Sequence, residues 1–203
     1  MKARILAFAG SARRDSLNKK LVRIAARLAG EAGAEVTLID LDEFPMPLYH
    51  GDLEAAQGLP EHARRLRALF LEHDGLLIAS PENNSSVTAL LKNTLDWLSR
   101  SIGDGKGVNS GLAPYRGKVA AIIAASPSPF GGTRQLPHLR QILASLGVTV
   151  VPSQLALQHA DHAFGPDGAL RDPKVHEAVR RIADALVDMT AKLREVPPPP
   201  RMV

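Results

Sequence analysis

The sequence contains no cysteine. Disulfides, thiolate metal sites and a cysteine nucleophile are thereby excluded. Five Phe, two Tyr and one Trp are its only aromatics, too few for the stacking platform of a single-strand binder. No apolar run reaches the ~18 residues that a membrane span needs, so none is expected. The opening "MKARILAFAG" passes straight into a strand-like run and lacks the build of a secretory signal. A cytoplasmic location is the expectation. Three glycine signatures are also missing: the GxxxxGK[ST] of a Walker loop, the GxGxxG of a dinucleotide fold and the GxSxG of a hydrolase elbow. A nucleoside triphosphate with magnesium and serine-hydrolase chemistry are disfavoured on that ground.

What is there suits one globular core. The chain has 203 residues, 45% hydrophobic and 23% charged. A single domain is expected over residues 1–195, followed by a disordered proline-rich tail at 196–203. The net charge is +4, but the arginines at 13–14, 64–67 and 180–181 are spread among acids. That pattern reads as a solvated surface and not as a nucleic-acid face. His159, Asp161 and His162 sit close together in "QHADH", with no third histidine at ligand spacing, and read as a surface loop.

Strand-like and helix-like segments alternate. "ARILAFA" (3–9), "EVTLIDL" (35–41), "GLLIAS" (75–80), "KVAAIIAA" (118–125) and "VTVVP" (148–152) read as buried strands. Between them Leu17, Leu21, Ile24 and Leu28 recur at helical spacing, and 62–73, 86–100 and 133–147 read as helices. The last helix starts with Asp172 as cap and Pro173 in first position. Five strands separated by helices predict a doubly wound five-stranded parallel sheet, helices on both faces. Ligands of such sheets bind beyond the carboxyl ends of the strands, near the switch in strand order. Three loops emerge there: "GSARRDSLN", "SPENNSS" and "ASPSPFGGTR".

The first loop has the makings of an anion site. Free N–H groups and the helix dipole favour negative charge at a helix start. Ser11 and Ser16 add hydroxyls, Asn18 an amide and Arg13 a charge, a set that suits a terminal phosphate monoester. Taken alone, the same residues also suit a helix cap and solvated arginines.

"GSARRDSLN", "PENNSSVTALLKNTLDWLSR" and "GGTRQLPHLRQIL" together resemble the three motifs of the NADPH-dependent FMN reductases, over nearly the whole chain. The family pattern is GSxRxxSxN, then PEYNxSxxxxLKNxxDWxSR, then a GGxR-type loop. The resemblance implies a flavodoxin-like α/β fold, bound FMN, NADPH or NADH as co-substrate, and a homodimer or homotetramer. It implies that Ser11, Arg13, Ser16, Leu17 and Asn18 hold the FMN phosphate. Pro81, Glu82, Asn83, Asn84 and Ser85 would line the isoalloxazine, and Ser126 through Gly132, with Gly131 and Gly132, would close over its pyrimidine side. Asp96, Trp97 and Arg100 would lie near the subunit interface, although ordinary burial habits make Trp97 a core residue. The implied reaction is a ping-pong transfer of hydride from NAD(P)H through FMN to a small-molecule acceptor: free flavin, a quinone, an azo compound or a metal oxyanion. Neither a nucleic acid nor a membrane is implied as partner.

Two features depart from the family pattern. Asn83 stands where the pattern has tyrosine, which removes about 1 kcal/mol of ring stacking. The glycine-rich loop 103–117 is longer than usual and is expected to cover the site or alter the interface. Two other readings stay open: a flavodoxin-type electron carrier, which the basic charge opposes, and a binding or assembly module with weak or lost flavin, which Asn83 favours.

Overall fold

The computed structural model describes residues 2–195, and the predicted tail at 196–203 lies outside them. Its strands are β1 (Arg4–Ala9), β2 (Glu35–Leu38), β3 (Gly75–Ala79), β4 (Val119–Ala125), β5 (Thr149–Val150) and β6 (Leu155–Leu157). Its helices are α1 (Leu17–Glu31), α2 (Gly51–Gln57), α3 (Glu61–Glu72), α4 (Ala89–Leu98), α5 (Gln135–Ser145) and α6 (Pro173–Glu195). All strand pairs are parallel, in the order β2-β1-β3-β4-β5, with β6 also pairing β4. The order reverses between β1 and β3.

The predicted fifth strand is divided. β5 pairs Val119 and Ala120, and β6 pairs Ile123 to Ala125 further along the same edge. Pro152 falls between the two pieces and has no N–H to give the ladder. Five positions are therefore filled by six segments.

Central strands are apolar on both faces because helices cover both. Ile5, Ala7 and Ala9 of β1 pack with Leu21 and Leu28 of α1 and Ile182 and Leu186 of α6. Leu6 and Phe8 point the other way, into a cluster with Phe70 of α3, Leu91 and Leu95 of α4 and Leu139 of α5. That alternation is the two-residue period of a strand. Each fully buried Leu, Ile or Phe contributes about 1.5–3 kcal/mol relative to exposure.

Helix α2 was not expected: it is seven residues long and buries none of them, so it leaves no apolar stripe to read. Helix α4 begins at Ala89, not 86, because Thr88 caps it by accepting from the Leu91 N–H at 3.1 Å. Asp172 caps α6 as predicted, accepting from Lys174 N–H at 2.8 Å.

The expectation that loop 103–117 covers the site fails on topology. The loop joins the end of α4 to the start of β4, so it lies at the amino-terminal edge of the sheet. It is held there by buried Arg67, which donates to the carbonyls of Leu98 (2.9 Å), Val108 (2.8 Å) and Ser110 (2.6 Å). Trp97 is a core residue, as ordinary burial habits predict. It is fully enclosed by its own chain, donates Nε1–H to Pro47 O at 2.7 Å and packs edge-on to Tyr49. Asp96 and Arg100 keep accessible side chains, paired with Lys92 and Glu54 respectively. No described helix is long and apolar enough to cross a membrane.

Candidate functional site

At the carboxyl edge, over the switch between β1 and β3, lies a cleft of about 450 Å³. That volume is within the range of small-molecule sites. Of the predicted residues, Ser11, Arg13, Ser16, Leu17, Asn18, Pro81, Glu82, Asn83 and Ser126 line it. Asn84, Ser85, Gly131 and Gly132 stand outside its walls.

The first loop leaves β1 at Gly10, whose N–H donates to Ala79 O of β3 at 2.8 Å. The chain then runs to Ser16, the cap of α1, whose hydroxyl oxygen accepts from Lys19 N–H at 3.4 Å. Lys20 N–H reaches Ser16 O at 3.1 Å. The latter is the first regular bond of the helix; of the four N–H groups that a helix start leaves over, only that of Lys19 is met, and those of Ser16, Leu17 and Asn18 remain. Among the described residues the N–H groups of Ser11, Ala12, Arg13, Arg14 and Asp15 likewise find no acceptor in the chain. The Arg13 side chain is exposed at the mouth. Lys19 is buried, and its ammonium donates to Asp40 Oδ2 at 2.6 Å and to Ala12 O at 3.3 Å, which braces the loop from behind.

The amide of Asn18 joins two loops. Its Nδ2 donates to Ala125 O at 2.8 Å, and Ala125 N–H donates to its Oδ1 at 2.9 Å. One amide hydrogen and the amide oxygen thus anchor the side chain to the end of β4, and the second amide hydrogen and the backbone N–H stay free at the cleft.

The second loop is a tight turn. Asn83 and Ser86 exchange both backbone hydrogen bonds at 3.0 Å, and Asn84 (φ 50°) and Ser85 (φ 67°) occupy the left-handed positions between them. Such a reversal matches a two-residue primed turn, where asparagine is well suited and serine is strained. Sequence reasoning missed the residues just beyond this turn. Thr88, Ala89 and Leu90 also line the cleft, and Thr88 Oγ1 donates to Gly10 O at 2.7 Å. The signal was available, since a threonine three residues ahead of a helical leucine is a cap signature.

In the third loop Ser126 and Pro127 reach the cleft. Gly131 sits at φ 61°, and a Cβ there would lie 2.7 Å from Ala156 O. Only glycine fits that approach to the backbone of β6. Glu82, with a side chain 8% exposed, ties this loop to the second. Its carboxylate accepts from Arg134 N–H at 2.9 Å and from Arg134 Nε at 2.6 Å. Ser86 Oγ and His138 Nδ1 meet at 3.0 Å beside it.

The three loops are therefore joined in pairs: first to third through Asn18, first to second through Thr88, second to third through Glu82. Side chains held this way keep the cleft's backbone donors in place before any ligand arrives. The donor set suits a phosphate ester at one end, and a turn with exposed amides suits a flat heterocycle beside it. FMN is a group that carries both, and the residues present fit it.

The family model of NADPH-dependent FMN reductase matches residues 3–162. An NAD(P)H-dependent FMN reductase of Pseudomonas aeruginosa is 34% identical over 192 residues, covering 94% of this chain and 97% of that one. An NADPH:quinone oxidoreductase of Arabidopsis thaliana is 34% identical over 196 residues, covering 94% and 93%. Among solved structures, FerB, a flavoenzyme NAD(P)H:(acceptor) oxidoreductase from Paracoccus denitrificans, superposes with a TM-score of 0.78. It is 30% identical, with 95% of this chain and 98% of that chain covered. With a 2-1-3-4-5 sheet and three interlocked loops at its carboxyl edge, the chain belongs to the NADPH-dependent FMN reductase family.

Proposed function

We propose that the cleft holds FMN with its phosphate in the first loop, and that NAD(P)H and a quinone-class or flavin acceptor use it in turn. The observation that carries this reading is the unbroken run of unmet backbone N–H groups from Ser11 to Asn18, which leads into a serine-capped helix start. Ser11 and Ser16 supply hydroxyls there, and Arg13 a positive charge.

When bound, FMN takes the hydride of NAD(P)H and passes its electrons to an acceptor. The chain's own work is placement. The helix N-terminus and Arg13 neutralise the phosphate. Pro81, Glu82 and Asn83 form one wall of the ring site, and Ser126 and Pro127 the other. The backbone around Asn84 and Ser85 supplies amides toward the ring edge, and Gly131 and Gly132 let the third loop pack without a side chain between. Alignment of two flat rings needs no general base from the protein. The cleft's open mouth admits co-substrate and acceptor successively. Assembly as a homodimer or homotetramer with Asp96, Trp97 and Arg100 near the interface, and a cytoplasmic location, belong to the same reading; light scattering tests the first.

The deciding experiment is a visible absorption spectrum of the purified chain, incubated with FMN and desalted, then titrated anaerobically with NADPH and NADH. Retained flavin bands that bleach are the expected result. Retained bands that neither nucleotide bleaches would leave an electron carrier, and no retained flavin would sink the proposal.

A further inference from the structure

Phe130, at the tip of the third loop, is the most exposed aromatic among the described residues, at 53%. Tyr49, the other exposed one, is already engaged, edge-on to Trp97 and hydrogen-bonded to Glu54. We propose that Phe130 is the stacking residue for the electron acceptor and selects flat, electron-poor conjugated rings of the quinone class. This rests on the reductase reading of the cleft.

Phe130 is tied to cleft-lining residues along two routes, one at its ring and one at its backbone. On one, the Arg134 guanidinium lies 4.7 Å from the Phe130 ring centroid, and the same guanidinium is paired with the carboxylate of Glu82 in the cleft wall. On the other, Phe130 N–H donates to Ser128 Oγ at 3.3 Å, and Ser128 Oγ meets the hydroxyl of Ser126, again a wall residue, at 3.2 Å. Thr133 closes the turn, its N–H and hydroxyl both donating to Phe130 O, at 2.9 and 2.7 Å. The Arg134 contact thus holds the ring, and the Ser128 and Thr133 bonds hold its backbone, three residues beyond the cleft-lining Pro127.

One part of the ring is covered by the guanidinium and the rest meets solvent. An aromatic face carries partial negative charge and attracts an electron-poor ring in offset contact. A quinone has that character. A dihydronicotinamide is electron-rich and not aromatic, so it gains less from such a contact. The second loop offers no aromatic to do the same work, since Asn83 is polar and exposed. The nearest stacking surface at this rim is therefore Phe130.

The test compares the full FMN-supplied chain with Phe130→Ala, Phe130→Trp and Arg134→Ala. Calorimetric binding of a naphthoquinone to the oxidised protein, with no reduced nucleotide present, is the first readout. It is expected to weaken about five- to tenfold in Phe130→Ala, to recover in Phe130→Trp and to weaken less in Arg134→Ala. The second readout is the ratio of kcat/KM for the naphthoquinone to that for ferricyanide, an ion with no flat ring, and it should fall by the same factor through KM. Wild-type naphthoquinone binding in Phe130→Ala would overturn the proposal. So would loss of FMN from that variant, which would make the residue a cofactor contact. A larger change in NADPH affinity than in quinone affinity would assign the ring to the nicotinamide instead. If NADPH bleaches neither protein while Phe130→Ala still loses quinone binding, it is the reductase reading that fails.

Discussion

The carboxamide of Asn18, on the first turn of α1, exchanges two hydrogen bonds with the backbone of Ala125, at the end of β4. These residues are 107 apart in sequence, and their contact joins the phosphate-side loop to the ring-side loop. Asn18→Ala would leave a buried N–H and a buried carbonyl unpaired. The expected loss is about 1–3 kcal/mol of stability, read by urea unfolding. FMN affinity should fall with it, since Ser126 and Pro127 come directly after Ala125. Unchanged unfolding in the variant would mean that water replaces the amide at no cost.

Arg13 makes no ion pair among the described residues and faces the cleft mouth. Removing it should weaken FMN by roughly tenfold or more, as expected for a charge-assisted contact. Riboflavin, which has no phosphate, should bind wild type and Arg13→Ala alike. Fluorescence titration with both flavins measures the difference. Equal FMN affinities in the two proteins would remove the phosphate from the first loop.

Gly131→Ala would place a methyl 2.7 Å from Ala156 O, on a backbone already at φ 61°. Both the clash and the conformation oppose it, and strain of this kind costs about 1–3 kcal/mol. The third loop must shift to relieve the clash. Thermal unfolding and flavin affinity should fall together, and a variant that keeps both would show that the loop adapts freely.

Lys118 is buried at the far edge of the sheet, where its ammonium donates to His73 O. Burial lowers its pKa from 10.5 to about 8, against the pull of Asp74. Between those values the unfolded chain binds more protons than the folded one, so stability rises with pH across that window. The penalty is fully present below about pH 8 and gone above 10.5, and at ~1.4 kcal/mol per pKa unit it amounts to about 3 kcal/mol. Urea unfolding of wild type from pH 7.5 to 10.5 should show that rise, and Lys118→Met should flatten it. A parallel pH profile in the variant would assign the rise to other groups.

Much of the architecture was legible in the chain. Runs such as "ARILAFA" and "KVAAIIAA" are apolar at every position because both sheet faces are covered, and that property survives in one dimension. Helix periodicity, the Asp172 cap and the three loop motifs are local too, and local physics writes them into neighbouring residues. Two of the shifts in element boundaries have local causes as well: Pro152 cuts the edge strand, and Thr88 sets the start of α4. Helix α2 escaped notice because it buries no face.

The sequence by itself therefore determined the layered fold, the position of the site on it and the family. Only the tertiary structure decided what individual side chains do there. It tied Asn18 to Ala125 and made Glu82, a lone carboxylate in the sequence, the clasp on Arg134. It enclosed Trp97 and sent loop 103–117 to the opposite edge of the sheet. The physical reason is range. Propensity and periodicity act over a few residues, whereas Asn18 and Ala125, or Glu82 and Arg134, meet only after the sheet has brought its carboxyl ends together.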